Sequence, residues 1–487
     1  MSSSSLRVSN SLSNFPRCNP HPFTRNSYRR AVDMSALAAE NKTEYEEKEQ
    51  HTSETETSSA TSAKSETSKD INVESSQSRK HKRSPDRERP SKVAKHDAEE
   101  DASSASTNVP SDLTTSGSNE KNKDTTDANR SLDNTVLVAD HYNALEEKGL
   151  SQRNQSRIVY MRNFNNWIKS MLINEYVVKV RQGKSFGTSL KVLDMCCGKG
   201  GDLLKWKKAN ISHLICADIA QVSLEQCQQR YNDMVNKKGS KDRGFAPIFS
   251  AEFITADCTK VRLREKFADP SIQLDFVSCQ FAFHYSFESL SQAECMIRNA
   301  SESLKPGGYF IGTIPDAYDL VSRWQNCDGH KFGNDVYNVE FLSEDKTKPP
   351  FFGAKYNFHL DGVVDCPEFL VHLPTLCKLA LKYGLELVAF ERFEDFYERF
   401  KNEGRSLLGN MQALETYPPY HEAPLLGDPE RDYHHAVEYM QNLPANHRKI
   451  GTLSQSEWEV TSLYAVFSFR KMKTIWNSEG KPEYIKL

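Results

Sequence analysis

Short apolar runs, each followed directly by a carboxylate or an amide, recur through the middle of the chain. Residues 192–193 precede Asp194, and later runs end at Asp218, Asp257 and Gln280. Runs of this kind are typical of buried strands in a parallel sheet. Because the carboxyl ends of parallel strands meet at one edge of an open sheet, we expect these polar side chains to converge on one crevice. The alternative is that each carboxylate merely caps the helix after its strand.

A glycine-rich turn follows the first of these strands. Residues 196–201 read Cys-Cys-Gly-Lys-Gly-Gly, and Asp202 stands near the positive end of the helix that comes next. A strand, a glycine turn and a helix form half of a nucleotide-binding unit, in which glycine lets the backbone approach a ligand. Asp218 follows at about the 20-residue spacing where a carboxylate meets ribose hydroxyls. Neither the dinucleotide pattern G-x-G-x-x-G nor the phosphate-loop pattern is satisfied.

Apolar residues at helical spacing predict several further helices, and apolar runs or alternation predict further strands. The predicted helices are residues 141–150, 158–180, 222–234, 288–304, 367–373, 375–383 and 394–401. The predicted strands after the fourth are residues 309–314, 385–393 and 461–470. Residues 305–308, Lys-Pro-Gly-Gly, predict a sharp turn before the fifth strand. Residues 316–360 carry few helical signals, so we expect an insertion there, a small β lid.

Composition divides the chain into unlike parts. Overall 26% of the residues are charged, 37% are hydrophobic and the net charge is -3, so a polar tract must dilute a normal globular part. That tract is residues 1–130, which hold almost no large apolar residue beyond the first few dozen positions and are expected to be a disordered tail. A folded domain is predicted over residues 136–472, and residues 473–487 form a C-terminal extension.

The tail carries a basic cluster at residues 79–83, Arg-Lys-His-Lys-Arg. Such a cluster is typical of nuclear import or of a nucleic-acid-binding arm, and a simple charge run is the alternative. Residues 1–32 are rich in Ser and Arg and lack acidic side chains, as in an organellar transit peptide. We favour Met34 as the usual start instead, because the basic cluster points to the nucleus.

Membrane-spanning and disulfide-rich proteins are both excluded by the sequence. No apolar run approaches the roughly 18 residues that span a bilayer, so no membrane partner is predicted. The 11 cysteines are odd in number, contain no C-x-x-C pair and fall mostly in apparent strands and helices. That pattern is typical of reduced, buried thiols in a cytosolic or nuclear protein, and no metal site is predicted.

Several stretches of the chain, in a fixed order, resemble one known family. They are residues 163–167, 198–207, 226–231, 279–281 with 284–287, and 367–370. Asn-Phe-Asn-Asn-Trp, Gly-Lys-Gly-Gly-Asp-Leu-Leu-Lys-Trp-Lys and Pro-Glu-Phe-Leu are among them, and together they resemble the eukaryotic mRNA cap guanine-N7 methyltransferases. The resemblance implies a Rossmann-like α/β fold, that of class I S-adenosylmethionine-dependent methyltransferases. Such a fold has a mostly parallel seven-stranded sheet with helices on both faces, here with a β/α insertion covering the cap site.

The resemblance also implies the activity. The enzyme would transfer a methyl group from S-adenosyl-L-methionine to N7 of the guanine in the 5′ GpppN cap of mRNA, with residues 136–472 as the catalytic domain. Guanine N7 has a lone pair and no proton at neutral pH, so the reaction needs positioning and no dedicated catalytic residue. The implied partners are the capped 5′ end of mRNA, a small activating subunit and the transcription and capping machinery. The implied location is the nucleus.

The binding positions of the family carry over residue by residue. The positions that match S-adenosylmethionine contacts are Lys169, Cys196, Asp218, Asp257, Gln280 and Tyr285. The positions that match cap contacts are Asn165, Asn166, Lys199, Lys205, Arg230, His284, Glu368 and Tyr464. These same cap contacts, the asparagines apart, would position the reacting groups.

Several of these assignments have a direct chemical reason. Asp218 suits the ribose hydroxyls, Asp257 the adenine amino group and Gln280 the methionine end of the cofactor. Lysine and arginine side chains supply charge-assisted donors for the triphosphate bridge. Glu368 can accept from N1–H and the amino group of guanine, and Tyr464 or Tyr285 can present a flat face or a hydroxyl.

Ordinary structural roles are the alternatives at the same positions. Without the resemblance, Arg230 would be an exposed helix charge, His284 a core histidine and Tyr464 a strand aromatic. Glu368 would be a first-turn carboxylate placed by the helix dipole after Pro367.

Cys196 departs from the family, which usually has a small residue, most often glycine, at this position. Because the later glycines of the turn are retained, we expect tolerance with altered cofactor affinity; a reactive low-pKa thiol is the less favoured alternative. Two other classes of protein remain open at this stage. One is an NAD-dependent dehydrogenase with the same strand–turn–helix unit, and the other is an inactive RNA-binding scaffold.

Overall fold

The computed structural model describes residues 134–145, 153–182, 184–185, 187–236, 248–421, 423–444 and 448–487. The predicted tail, its basic cluster and residues 146–150 of the first predicted helix lie outside this part of the chain. Among the described residues, no helix is both long and apolar enough to cross a bilayer.

Helices and strands alternate through the described residues. The helices are α1 (Asn134–Ala144), α2 (Val159–Arg181), α3 (Leu203–Lys208), α4 (Gln221–Asn236), α5 (Leu290–Ser301), α6 (Ala317–Asn326), α7 (Leu373–Lys382), α8 (Phe393–Phe400), α9 (Arg405–Asn410), α10 (His434–Gln441) and α11 (Gln455–Thr461). The strands are β1 (Lys191–Met195), β2 (His213–Asp218), β3 (Ser250–Thr255), β4 (Leu274–Gln280), β5 (Leu304–Pro315), β6 (Lys331–Gly333), β7 (Tyr337–Phe341), β8 (Lys355–Leu360), β9 (Val364–Phe369), β10 (Leu385–Arg392), β11 (Glu415–Tyr417), β12 (Ile450–Thr452), β13 (Tyr464–Lys471), β14 (Lys473–Trp476) and β15 (Pro482–Ile485). Two 3-10 helices, Leu263–Lys266 and Phe283–Glu288, follow β3 and β4.

Seven strands form the central sheet, in the order β10-β13-β5-β4-β1-β2-β3. Every neighbouring pair from β5 to β3 is parallel. Strand β13 runs antiparallel to both of its neighbours, β5 and β10. The predicted mostly parallel seven-stranded sheet is therefore confirmed. Chain order reverses between β1 and β4, and such a reversal opens a crevice at the carboxyl ends of the strands.

Alternate residues of the central strands face two separate cores. Val192 and Leu214 pack in one apolar cluster with Trp167 of α2, whereas Leu193 and Ile215 pack in a second cluster with residues of α5. Helices thus cover both faces of the sheet, as predicted. Burial on both faces explains why the strands read as continuous apolar runs in the sequence.

The insertion after β5 begins with a helix that the sequence pattern did not predict. In α6, Leu320 and Trp324 lie one turn apart and are buried, and Asp316 caps the helix by accepting a hydrogen bond from the backbone N–H of Tyr318. Strands β6 to β9 then form an antiparallel sheet in the order β6-β7-β8-β9. The insertion is therefore a helix followed by a small β sheet.

The predicted helix over residues 367–373 is wrong. Pro367 and Glu368 lie in β9, opposite Asn357 and Tyr356 of β8. The proline looked like the first residue of a helix, but β9 is an outer strand of its sheet, where a missing N–H is tolerated. The helix begins only at Leu373, as α7.

The predicted sharp turn at residues 305–308 is also corrected. Strand β5 already begins at Leu304, and its pairing with β4 shifts register between Leu274 and Phe276. Gly307 has φ 78°, a conformation that favours glycine. The Lys-Pro-Gly-Gly segment is thus an irregularity within the strand, and the helix before it ends at Ser301 rather than at residue 304.

The C-terminal part contains short elements that the pattern did not predict, α9 to α11 with β11 and β12. Each spans eight residues or fewer, which is too short for a clear period. The predicted C-terminal extension, residues 473–487, contains an antiparallel pair, β14 and β15.

Candidate active site

A cavity of about 310 Å³ lies at the carboxyl ends of β1, β2 and β4, with α1 along one side. Its volume is within the range of small-molecule sites. All of the predicted cofactor residues line it, namely Lys169, Cys196, Asp218, Asp257, Gln280 and Tyr285. The structure thus brings together side chains that are more than 100 residues apart in the chain.

Asp218 is the anchor of the glycine turn. Its Oδ2 accepts a hydrogen bond of 2.7 Å from the backbone N–H of Gly198, and its Oδ1 accepts one of 2.8 Å from the N–H of Ala220. Burial raises the pKa of Asp218 above its usual value. A carboxylate has about four lone-pair positions, so two remain for hydroxyl donors from the cavity.

Gln280 and Asp257 present further acceptors at the ends of their strands. The Nε2 of Gln280 donates to Ser278 Oγ at 3.1 Å, while its buried Oε1 has no hydrogen-bond partner among the described residues. Asp257 Oδ1 accepts from the N–H and the hydroxyl of Thr259, at 2.8 and 2.7 Å. A buried acceptor without a partner is costly in a folded protein, so Gln280 Oε1 is suited to a donor on a ligand.

The buried carboxylate of Asp202 contacts both a predicted cofactor residue, Lys169, and a predicted cap residue, Lys205. Asp202 lies 2.9 Å from Lys169 Nζ and 2.7 Å from Lys205 Nζ, and Lys205 also donates to Asn166 Oδ1 at 3.0 Å. Burial opposes the ionisation of Asp202, but the two lysines outweigh it and lower its pKa to about 2. Although Asp202 precedes α3, its side chain makes no capping hydrogen bond. Its role is electrostatic and lies in holding the two ammonium groups.

Glu368 lies at the centre of a second polar group, next to Tyr285. Its Oε2 accepts a hydrogen bond of 2.8 Å from Tyr356, and its Oε1 lies 3.2 Å from Nε2 of His284. The distance to His284 is short, but the contact is not aligned as a hydrogen bond, so both ring nitrogens lack a hydrogen-bond partner among the described residues. Glu368 is only 3% exposed and His284 only 1%. Buried ring nitrogens without a hydrogen-bond partner, such as those of His284, are suited to contact a polar ligand.

Aromatic rings form the wall beside this group. Tyr464, at the start of β13, lies edge-on to Phe281 with ring centroids 5.0 Å apart, and its ring is 5.8 Å from that of Phe393. The rings of His284 and Tyr285 lie 4.4 Å apart. The structure thus places Tyr464 among aromatics that a flat base could join.

The remaining predicted cap residues are Asn165, Lys199 and Arg230, which lie in α2, in the glycine turn and in α4. Lys199 donates from its ammonium to the carbonyl of Leu145 at 2.7 Å. Asn165 Oδ1 is buried without a hydrogen-bond partner among the described residues. Arg230 is exposed on α4. None of the predicted cap residues lines the cavity, whereas all of the predicted cofactor residues do.

Two tyrosines belong to the site but were missed by sequence reasoning. Tyr142 of α1 lines the cavity, and its hydroxyl lies 3.2 Å from the hydroxyl of Tyr285. Tyr356 holds Glu368 from the facing strand. Tyr356 is the direct cross-strand partner of Glu368. The sequence could have indicated it only if residues 364–369 had been predicted as a strand.

Cys196 occupies a strained backbone position. Its φ is 54°, in the left-handed region that favours glycine. A hydrogen bond from the thiol of Cys258 favours its thiolate, but a hydrogen bond to Cys279 and burial outweigh it and raise the pKa of Cys196 well above the usual value. The thiol is therefore poorly suited to be a nucleophile, which argues against the reactive-cysteine alternative.

Cys196→Gly is expected to raise the free energy of unfolding by about 1 kcal/mol, because a non-glycine residue in this region costs roughly that much. Urea unfolding measures the change, with Cys196→Ala as the matched control. Alanine removes the thiol but keeps a Cβ at the same φ, so it should not be stabilising. If the glycine variant is no more stable than the alanine variant, backbone strain at Cys196 is not significant.

The arrangement defines a class of protein. The sheet order with one antiparallel strand next to the edge, the glycine turn after β1 and the acidic residues after β2 and β3 are those of a class I S-adenosylmethionine-dependent methyltransferase.

Comparison with known sequences identifies the family within this class. The sequence profile of the mRNA (guanine-N(7))-methyltransferase domain matches residues 125–472. The mRNA cap guanine-N(7) methyltransferase of Drosophila melanogaster is 54% identical over 360 residues, which cover 73% of this chain and 82% of that protein. The protein of the same name from Caenorhabditis elegans is 42% identical over 344 residues, covering 69% and 87%. mRNA cap guanine-N(7) methyltransferase 1 of Oryza sativa subsp. japonica is 38% identical over 340 residues, covering 69% and 80%.

The chain belongs to the mRNA cap guanine-N7 methyltransferase family. It uses S-adenosylmethionine to methylate N7 of the guanine in the mRNA cap. The predicted family, fold class, activity and cofactor are thus confirmed. The dehydrogenase and inactive-scaffold alternatives are wrong.

Proposed function

We propose that the cavity at the glycine turn holds S-adenosylmethionine. Asp218 accepts from the ribose hydroxyls with its remaining lone pairs, and Asp257 accepts from the adenine amino group. Gln280 Oε1 accepts from the ammonium of the methionine end, which is supported by its burial without a hydrogen-bond partner among the described residues. When bound, this cofactor supplies an electrophilic methyl group.

Glu368 then reads the cap guanine. Guanine presents two donors, N1–H and its amino group, beside the acceptor O6. The carboxylate of Glu368 accepts from the two donors, and a ring N–H of His284 donates to O6. The single observation that carries this assignment is the burial of His284 with neither ring nitrogen hydrogen-bonded among the described residues, 3.2 Å from Glu368.

Cationic side chains would neutralise the triphosphate bridge. Lys205 is held by Asp202 at 2.7 Å, so its ammonium is fixed before the substrate arrives. Lys199 lies in the glycine turn itself, and Arg230 is exposed on α4. Charge-assisted contacts of this kind are stronger than neutral ones.

The chain contributes orientation rather than proton transfer. Guanine N7 is already a nucleophile, so the site needs to align N7 with the methyl carbon and to exclude water. Tyr285 lines the proposed cofactor cavity, and its ring centroid lies 4.4 Å from that of His284, which supports a base site directly beside the cofactor site. Fixed donors and acceptors keep both molecules in line without a general base.

A methyl-transfer assay with GpppG-ended and ApppA-ended RNA tests this assignment. The full chain is expected to methylate GpppG-RNA and to leave ApppA-RNA nearly unmodified, because adenine offers neither N1–H nor O6 to Glu368 and His284. Comparable methylation of both RNAs would contradict the guanine-reading role.

The proposed roles of the tail and of the partners are based on the sequence and on the mRNA cap methylation named for the relatives. We infer that residues 1–130 act in nuclear import or recruitment and that a small activating subunit and the capping machinery bind the protein. Deletion of residues 1–130 is included in the same assay. Unchanged methyl transfer with loss of nuclear accumulation in cells is expected, and loss of activity on a short capped RNA would contradict the domain boundary.

A further inference from the structure

Three cysteines from separate elements meet behind the glycine turn. Cys197 lies in the turn, Cys216 in β2 and Cys227 in α4, and their Sγ atoms all lie within 4.8 Å of one another. Cys216 and Cys227 are buried, and Cys197 lines the cofactor cavity. The methyl-transfer reaction as described above uses none of these thiols.

The spacing of the sulfurs suits a metal ion of soft character. At a metal–sulfur distance of roughly 2.3 Å, three sulfurs around one ion in a plane would be about 4.0 Å apart. The three thiols therefore need to close by less than about 1 Å to share an ion. Thiolate ligands select soft ions such as Cu(I).

The number of available ligands also distinguishes between metal ions. Structural zinc sites take four protein ligands. Around these sulfurs, the described part of the chain offers no fourth His, Cys, Asp or Glu ligand atom within the same spacing. Cu(I) is satisfied by fewer soft ligands, so three thiols fit Cu(I) better than a closed zinc site.

The three thiols are mechanically connected to the cofactor cavity. Cys197 immediately precedes Gly198, whose N–H is held by Asp218 at 2.7 Å. Cys216 precedes Asp218 by two residues in β2. Cys227 lies directly behind the turn, because a Cβ at Gly200 would come within 2.7 Å of its Sγ. Because Cys197 is itself part of the turn, an ion that draws the three sulfurs together would act on the turn.

We propose that Cys197, Cys216 and Cys227 form a site for one Cu(I) ion, and that its occupation weakens S-adenosylmethionine binding in the adjoining cavity. As each sulfur binds, its thiol proton is released to solvent, and the copper stays monovalent throughout. The ion reaches the site from the cavity, through Cys197. The second half of the inference rests on the proposed position of the cofactor, whereas the first half does not.

Anaerobic titration of the full, reduced chain with Cu(I) tests the site, with a chromophoric Cu(I) chelator as competitor. One ion per chain is expected, and X-ray absorption should detect sulfur neighbours only. Cys227→Ser is expected to weaken binding by at least about 100-fold. Cys377→Ser is the matched control, since Cys377 lies on α7 outside the three-cysteine group, and it should leave binding unchanged. If thermal unfolding indicates that Cys227→Ser does not fold, Cys197→Ser in the turn replaces it.

The position of the ion and its effect are separated by two further measurements. Cys258→Ser tests the neighbouring thiols around Cys196, and loss of copper in this variant alone would overturn the proposal. Unchanged copper binding by Cys227→Ser would also overturn the proposal. Complete removal of the copper by millimolar glutathione would overturn it as well. Calorimetry with S-adenosylhomocysteine should give at least about tenfold weaker binding to the copper-loaded chain, and no such weakening in Cys227→Ser. Equal affinity with and without copper would overturn the coupling. Failure of S-adenosylhomocysteine to bind even the copper-free chain would instead contradict the proposed cofactor cavity.

Discussion

Asp218→Ala is expected to weaken S-adenosylmethionine binding by at least about a hundredfold. The carboxylate ends β2 and lines the cavity, and we propose that its two remaining lone pairs accept from the ribose hydroxyls. Hydrogen bonds to a charged group contribute roughly 1.5–3 kcal/mol each, and two would be lost. Isothermal titration with S-adenosylmethionine measures the effect.

Asp218→Ala should also lower the free energy of unfolding, because the carboxylate holds two backbone N–H groups. Asp218 accepts from the N–H groups of Gly198 and Ala220, and both would lose their partner. A cost of about 1–3 kcal/mol in the free energy of unfolding is expected. Asp328→Ala, at an exposed carboxylate outside the cavity, is the control and should change neither quantity. Near-normal cofactor affinity in a folded Asp218→Ala protein would contradict the ribose assignment.

Glu368→Gln is expected to lower kcat/KM for capped RNA, because transition-state stabilisation falls by about 2–4 kcal/mol. The affinity for S-adenosylmethionine should stay close to normal. The amide oxygen can keep the hydrogen bond from Tyr356, which places the new NH2 group where Oε1 now lies, 3.2 Å from His284. There a donor would face the donors of guanine. A desolvated site built for one polar partner strongly rejects the mismatch.

Glu340→Gln is the matched control, because Glu340 is an exposed glutamate in β7 of the same small sheet. It should lose neither turnover nor cofactor affinity. The structure has removed the helix-dipole alternative for Glu368, since the residue lies in a strand. Unchanged turnover of Glu368→Gln on capped RNA would therefore leave only a packing role with Tyr356. An equal loss of cofactor affinity would indicate a general disturbance of the site.

The strand–turn–helix unit around Cys196 was well predicted because its signals are local. An apolar run, a set of glycines and a carboxylate at the next strand end are all readable in one short stretch. The resemblance to the family added the individual candidate residues, and all six of the predicted cofactor residues line one cavity in the structure. The backbone conformation at Cys196, with φ 54°, is one that favours glycine.

The surroundings of Glu368 were predicted poorly because two physical cues conflicted. Pro367 followed by a carboxylate is typical of a helix start. Pairing with β8 outweighed that local preference, and the edge position of β9 accommodates the proline. Once the segment is a strand, Tyr356 becomes the direct partner of Glu368, which no helical interpretation could have indicated.

By itself, the sequence determined which segments would be buried strands, which turn would approach a ligand and which polar side chains would end the strands. These properties depend on composition and period within a single segment. Only the tertiary structure decided that Tyr142 meets Tyr285 across 143 residues of chain, that Tyr356 holds Glu368, and that three cysteines from a turn, a strand and a helix share one point. Such contacts depend on strand register and on the packing of one element against another, and a shift of one residue in a strand would turn each side chain to the opposite face.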